Sequence, residues 1–137
     1  MYKTIAVPVD LAHLDRLPKA LGTAVDLAKH YGAELCYVAA TTEAPGPLAH
    51  NPAEFQAKLD AFAAAEAASH GIATATKMIV CVDLAVDLDK ELRRAFAEIG
   101  ADLVVMASHI PGVKEHLFSS NAGWIATHSP MSVFVVR

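Results

Sequence analysis

The sequence predicts a doubly wound α/β domain built on a five-stranded parallel sheet with helices on both faces. Two observations carry this reading. Short apolar runs rich in β-branched residues (IAVPV, DLVVMA, VFVV) alternate with longer stretches of helical periodicity. The strand runs are nearly continuous rather than alternating, as expected where helices cover both faces of a sheet. Strands separated by helices imply crossover connections, hence parallel pairing and a right-handed path.

The elements follow in order. Lys3 to Val9 is the first strand, ended by Asp10. After a polar loop comes a helix to Tyr31, with Leu17, Leu21, Ala24, Val25 and Ala28 at helical spacing. Pro18 suits its first turn and Gly32 its exit. Glu34 to Ala40 is the second strand, and the Pro/Gly-bearing stretch TTEAPGPLAH is a loop. Asn51-Pro52-Ala53-Glu54 reads as a capping box with proline at the first helical position. The helix it opens buries Phe55, Leu59, Phe62 and Ala63 and stops at Gly71. Thr76 to Val82 is the third strand. Asp87 is expected to cap a helix carrying Leu88, Leu92, Ala95 and Ile99, with Gly100 beyond it. Leu103 to Ala107 is the fourth strand, Ser120 to His128 the last helix and Ser132 to Val136 the fifth strand. With no internal repeat or linker, residues 1–137 are read as one domain.

Composition narrows the function. The chain is 54% hydrophobic and 19% charged, which suits a packed core and excludes disorder. A net charge of −4 argues against nucleic acid or an anionic membrane as partner. No apolar run reaches membrane length. The opening MYKTIAVPVD lacks a signal peptide's apolar core, so a cytoplasmic location is expected. Cys36 and Cys81 sit in apolar runs outside any CxxC pattern and read as small core residues. A disulfide between them is sterically open if their strands are neighbours, but a reducing compartment opposes it. The seven histidines show neither HxxH nor HxH spacing, so no metal is expected.

In open α/β sheets a ligand sits at the carboxyl ends of the strands, where the strand order reverses. Asp10, residues 40–42, Asp83 and residues 107–109 occupy those ends. The last helix opens Ser119-Ser120-Asn121 directly after a strand-loop unit. Free N–H groups at such a start suit a phosphate.

The segments IAVPVD, ADLVVMASH and SSNAGWIATHSPMSVFVVR resemble the first strand, the fourth strand, and the last helix and strand of the universal stress proteins. The nucleotide-binding members carry G-x-x-G, a spacer, and G-S or G-T. Here Ala107 and Ile110 stand at the first two glycines, and Ser119-Ser120 at the pair, after residues 111–118. Ser108-His109, Pro111 and Ser120-Asn121-Ala122 resemble a shorter bacterial branch with SH-x-P and G-S-N. The expected strand order is 3-2-1-4-5. The resemblance implies an adenine nucleotide, ATP or AMP, held by Pro8, Val9, Asp10, Ala40, Thr41, Met106, Ala107, His109, Ile110, Pro111, Ser119, Ser120 and Asn121. Asp10 would face the ribose, Ala40 and Thr41 the base, and Ser119 to Asn121 the phosphates.

The residues themselves leave alternatives open. β-Branched Ile110 resists positive φ and Pro111 pushes it toward an extended conformation, so this loop takes its own path. Asp10 reads equally as a loop cap. An acidic receiver pocket pairs acids after the first strand, whereas Asp10 is followed by Leu11. His109 reads as a loop-ordering or ligand-contact residue. Ser108, its neighbour, points the other way on an extended segment, so no catalytic pair forms. Nothing in the sequence demands an enzyme, and at most a slow ATP hydrolase is conceivable. Trp124 is either half-buried core or a subunit contact. The apolar edge Val133, Phe134, Val135 and Val136 invites antiparallel pairing with a second copy, a homodimer that the resemblance also implies. The two functions that remain are a nucleotide-binding regulatory module of stress response and a dimeric interaction protein whose pocket takes no nucleotide.

Overall fold

Nine-residue strand β2 (Glu34–Thr42) and the short β1 (Thr4–Pro8) form the centre of the molecule. The computed structural model describes residues 1–108 and 121–137. Around the two strands lie α1 (Pro18–Tyr31), α2 (Pro52–His70), β3 (Thr74–Cys81), α3 (Leu84–Glu98), β4 (Leu103–Ala107), α4 (Asn121–His128) and β5 (Ser132–Val136). The strands make one five-stranded sheet in the order β3-β2-β1-β4-β5, all pairs parallel. Both the topology and the order agree with the expectation.

The period of two along each strand sorts side chains onto two cores. Ile5, Val7, Leu35, Tyr37, Leu103 and Val105 face α1 and α2, where Ala24, Val25, Phe55 and Leu59 meet them. Ala6, Cys36, Val38, Val104 and Met106 face the other way, toward Leu88, Leu92 and Phe96 of α3 and Ile125 of α4. Both faces of the central strands are therefore buried, which explains their continuous apolar runs. Trp124 is half-buried against the second core.

The helix ends show which local signals were decisive. Gly32 and Gly71 adopt φ of 64°, where a side chain is strained, and their N–H groups close α1 and α2 on Ala28 and Ala67. At the start of α2, Asn51 Oδ1 accepts from the Glu54 N–H at 2.8 Å. The return bond differs from a standard box: the Glu54 carboxylate accepts from the N–H of His50, at 3.3 Å, and the hydrogen bonds from the His50 ring and backbone hold its pKa below the usual carboxylate range. Replacing Asn51 by alanine orphans one N–H of the first turn. The expected loss is about 1 kcal/mol, seen as a melting point lower by roughly 2–6 °C.

Several boundaries are corrected: β2 runs on to Thr42, β3 spans Thr74–Cys81, and the start of the third helix moves. α3 begins at Leu84, with Asp83 as its cap: Asp83 Oδ1 accepts from the Ala85 N–H at 3.0 Å. Asp87 lies inside the first turn, where its carboxylate accepts from the Asp83 N–H at 3.4 Å. Either aspartate followed by an apolar residue has the composition of a cap. The earlier one is favoured because it follows the end of β3 directly. The predicted start of the last helix at Ser120 lies outside the described residues.

The cysteines are settled by register. β2 and β3 are neighbours, but Cys36 lies opposite Ala75 and Cys81 opposite Thr42. Ala75 to Cys81 spans about 20 Å of strand, far beyond the roughly 7 Å limit between bridged Cα atoms. Burial, with the Glu34 charge adding to it, pushes the Cys36 thiol up to about 11, and burial raises Cys81 as well. Both are protonated core residues at neutral pH.

The two sheet edges differ. On the β3 side Lys77 Nζ lies 2.9 Å from Glu98 Oε2, and Arg94 Nε lies 3.4 Å from Glu98 Oε1. On the β5 side Phe134 is 46% and Val135 38% exposed, both large apolar groups on an unpaired edge.

Candidate functional site

The chain leaves β1 toward β2 on one side and returns through β4 on the other, so the strand order reverses beside β1. At the carboxyl ends of β1 and β2 lies a pocket of about 250 Å³. Val9, Asp10, Ala40 and Thr41 line it, the last three at strand ends where the topology of the sheet places a ligand. Leu11 and Ala12 continue one wall, the 44–49 segment forms another, and Phe55 and Leu84 reach in from α2 and α3. At this volume it falls just below the roughly 300–1,000 Å³ of ordinary small-molecule sites.

Asp10 is held from two sides. Its Oδ1 accepts from the Ala12 N–H at 3.0 Å, capping a 3-10 segment, Leu11–Arg16. Its Oδ2 accepts from His13 Nδ1 at 2.8 Å. The side chain stays 17% exposed, so Asp10 caps the turn and borders the pocket at once. Among the described residues it is the one charged side chain in the lining. The 44–49 wall is pinned by a bond from the Gly46 N–H to the Ala49 carbonyl at 2.9 Å and by Lys58 Nζ donating to the Leu48 carbonyl.

This arrangement has a chemical consequence. Apolar walls with a single carboxylate suit a flat, weakly polar group that carries hydroxyl donors. A phosphate would be repelled by Asp10 and must lie away from it. Among the described residues no group of three or more His, Cys, Asp or Glu side chains is placed to hold a metal.

Pro8 and Met106 are not in the lining. Pro8 is buried at the end of β1 opposite Val38, and Met106 is fully buried in the core beneath α3 and α4. Ala107 is half-buried at the end of β4, where the Ser108 N–H extends the ladder to the Val136 carbonyl at 2.8 Å. His109, Ile110, Pro111, Ser119 and Ser120 lie outside the described residues, as does the side chain of Asn121, the first residue of α4. The sequence reading missed Leu11, the 44–49 wall, Phe55 and Leu84. The Pro/Gly loop was legible as a loop apart from Thr41 and Thr42, which extend β2, but its return over the pocket rests on the packing of Leu48 and Ala49 against the core and on the Lys58 bond. The Asp10–His13 pair was signalled by D-x-x-H spacing, which brings the two side chains together once the segment turns.

Comparison with known proteins bears on this site. The sequence profile of the universal stress protein family matches residues 1–137. Universal stress protein G of Salmonella typhimurium is 30% identical over 150 aligned residues, covering 100% of both chains. A solved protein of the universal stress protein family from Burkholderia pseudomallei is 26% identical, with a TM-score of 0.67 over 98% of this chain and 96% of that one. The universal stress protein of Archaeoglobus fulgidus, solved in complex with dAMP, has a TM-score of 0.68 at 17% identity over 99% and 98% of the two chains. No helix among the described residues is long and apolar enough to cross a membrane. With the profile matched from the first residue to the last, the chain belongs to the universal stress protein family.

Proposed function

We propose that the chain is a regulatory module that binds an adenine nucleotide, ATP or AMP, at the carboxyl ends of β1 and β2. It would act in the cytoplasm as a homodimer in stress response. The observation that carries the reading is the apolar pocket whose one charged lining group, Asp10, accepts hydrogen bonds and repels phosphate. The base would lie against Ala40 and Thr41 under the 44–49 wall. The ribose hydroxyls would donate to Asp10. The phosphates would extend toward Ser119, Ser120 and Asn121, with Ala107, His109, Ile110 and Pro111 along the way. The relative solved with dAMP supports an adenine nucleotide as the ligand class.

Titration calorimetry with ATP and AMP tests this. Two or three charge-assisted hydrogen bonds at about 1.5–3 kcal/mol each, together with burial of the base and less ordering costs, lead us to expect binding that is measurable below millimolar nucleotide. Asp10→Ala is expected to weaken AMP binding about tenfold or more. A melting curve of the variant separates that effect from loss of the turn cap. A second reading, a dimeric interaction protein with an empty pocket, is favoured by Ala107, Ile110 and Ser119 standing where the nucleotide-binding members carry glycine. Absence of binding at millimolar nucleotide would decide for it.

A further inference from the structure

We infer that His13 is a positioning residue, which sets the ribose specificity of the pocket by aiming the Asp10 carboxylate. The inference rests on the nucleotide reading above and adds a residue to it. Three bonds between Asp10 and the segment after it carry the argument. The His13 N–H donates to the Asp10 carbonyl at 3.0 Å, the Ala12 N–H to Oδ1 at 3.0 Å, and the His13 ring to Oδ2 at 2.8 Å. The 3-10 segment is broken at His13, with φ −134° and ψ 38°. That break coincides with the return of the ring onto the carboxylate of its own turn.

The chemistry is directional. A carboxylate is acceptor-only, so Nδ1 carries the shared proton. Each Asp10 oxygen then has one protein donor and keeps further acceptor capacity. Two donors on two different oxygens fix the plane of the carboxylate. A fixed carboxylate with a free acceptor site on each oxygen matches a vicinal diol, which offers two hydroxyl donors. Without the ring, Oδ2 is free to turn about the remaining Ala12 bond, and the paired acceptors no longer face the ligand together. The chemical class selected is a ribonucleotide over its 2′-deoxy counterpart.

Calorimetric titration with AMP and with 2′-deoxy-AMP, on wild type, His13→Ala and His13→Asn, tests this. The wild type is expected to prefer AMP by about tenfold, the worth of roughly one hydrogen bond. His13→Ala should bring that ratio to near one. His13→Asn, which keeps an amide donor close to the Nδ1 position, should restore most of it. A role confined to folding would weaken both nucleotides equally, so an unchanged ratio in His13→Ala overturns the inference while leaving the nucleotide reading intact. A wild type that binds both nucleotides equally has the same meaning. A wild type that binds neither overturns both. Circular dichroism melts of the variants establish that each is folded at the titration temperature.

Discussion

Replacing Val135 by lysine should convert a dimer into monomers in sedimentation equilibrium, and Phe134→Lys should do the same. β5 is the last strand of the sheet, so its outer edge carries unpaired N–H and C=O groups. Phe134 at 46% and Val135 at 38% exposure add apolar surface to that edge. Antiparallel pairing of two copies across a two-fold axis would satisfy the backbone groups and cover these side chains. An interface of this kind is isologous, so a substitution enters it twice. Two lysines brought together at the axis would repel and would lose water, at a cost of several kcal/mol. That cost exceeds what a small edge contact supplies. The single chain keeps its fold because Val135 has its register partner, Met106, within the chain. A variant that sediments as the wild-type dimer would exclude this edge as the interface.

The largest loss of stability is expected for Phe96→Ala, about 3–5 kcal/mol. Phe96 is fully buried in the core between the sheet and α3, together with Leu88, Leu92, Met106 and Ile125. The surrounding strands are held by ladders on both sides, so the cavity has little room to collapse. At roughly 3–5 °C per kcal/mol for a chain of this size, the melting point should fall by about 10–25 °C. Val82→Ala provides the contrast: Val82 is 97% exposed, and its truncation should change stability by no more than about 0.5 kcal/mol. Comparable shifts for the two variants would mean that Phe96 does not occupy a packed core.

The frame of the molecule was readable because its signals are local. IAVPV and DLVVMA could only be strands buried on both faces, and their alternation with helices implied a parallel sheet. Asn51, Gly32 and Gly71 mark helix ends by side-chain chemistry and backbone freedom that need no tertiary context. The start of α3 was harder, since Asp83 and Asp87 both carry the chemistry of a cap and only the end of β3 distinguishes them. The same division runs through the site. Asp10, Ala40 and Thr41 follow from topology, because strand ends beside the reversal border the crevice, whereas Val9 entered only through the family resemblance. The 44–49 wall was not readable, because its place depends on tertiary contacts: Leu48 and Ala49 pack against the first core, and Lys58 of the next helix adds a hydrogen bond to the Leu48 carbonyl. Phe55 was readable as a core residue of α2, and its second role as a pocket wall emerges only when the loop closes beside it.

The contrast between the two sheet edges has a consequence for assembly. An edge that can pair acts as a valence. With Lys77, Glu98 and Arg94 linked along the β3 rim, that side offers a partner strand charged groups that are already satisfied by one another. Val80 is 40% exposed on that rim, so it is this charged cluster, and not a lack of apolar surface, that sets the β3 edge apart from the β5 edge. Were pairing confined to the β5 edge, a subunit that joined a second copy would have no valence remaining, and growth would stop at two. Neutralising Lys77 would add a second valence on the opposite edge. Subunits able to pair at both edges can continue without closure, and the sheet becomes the repeat of a filament.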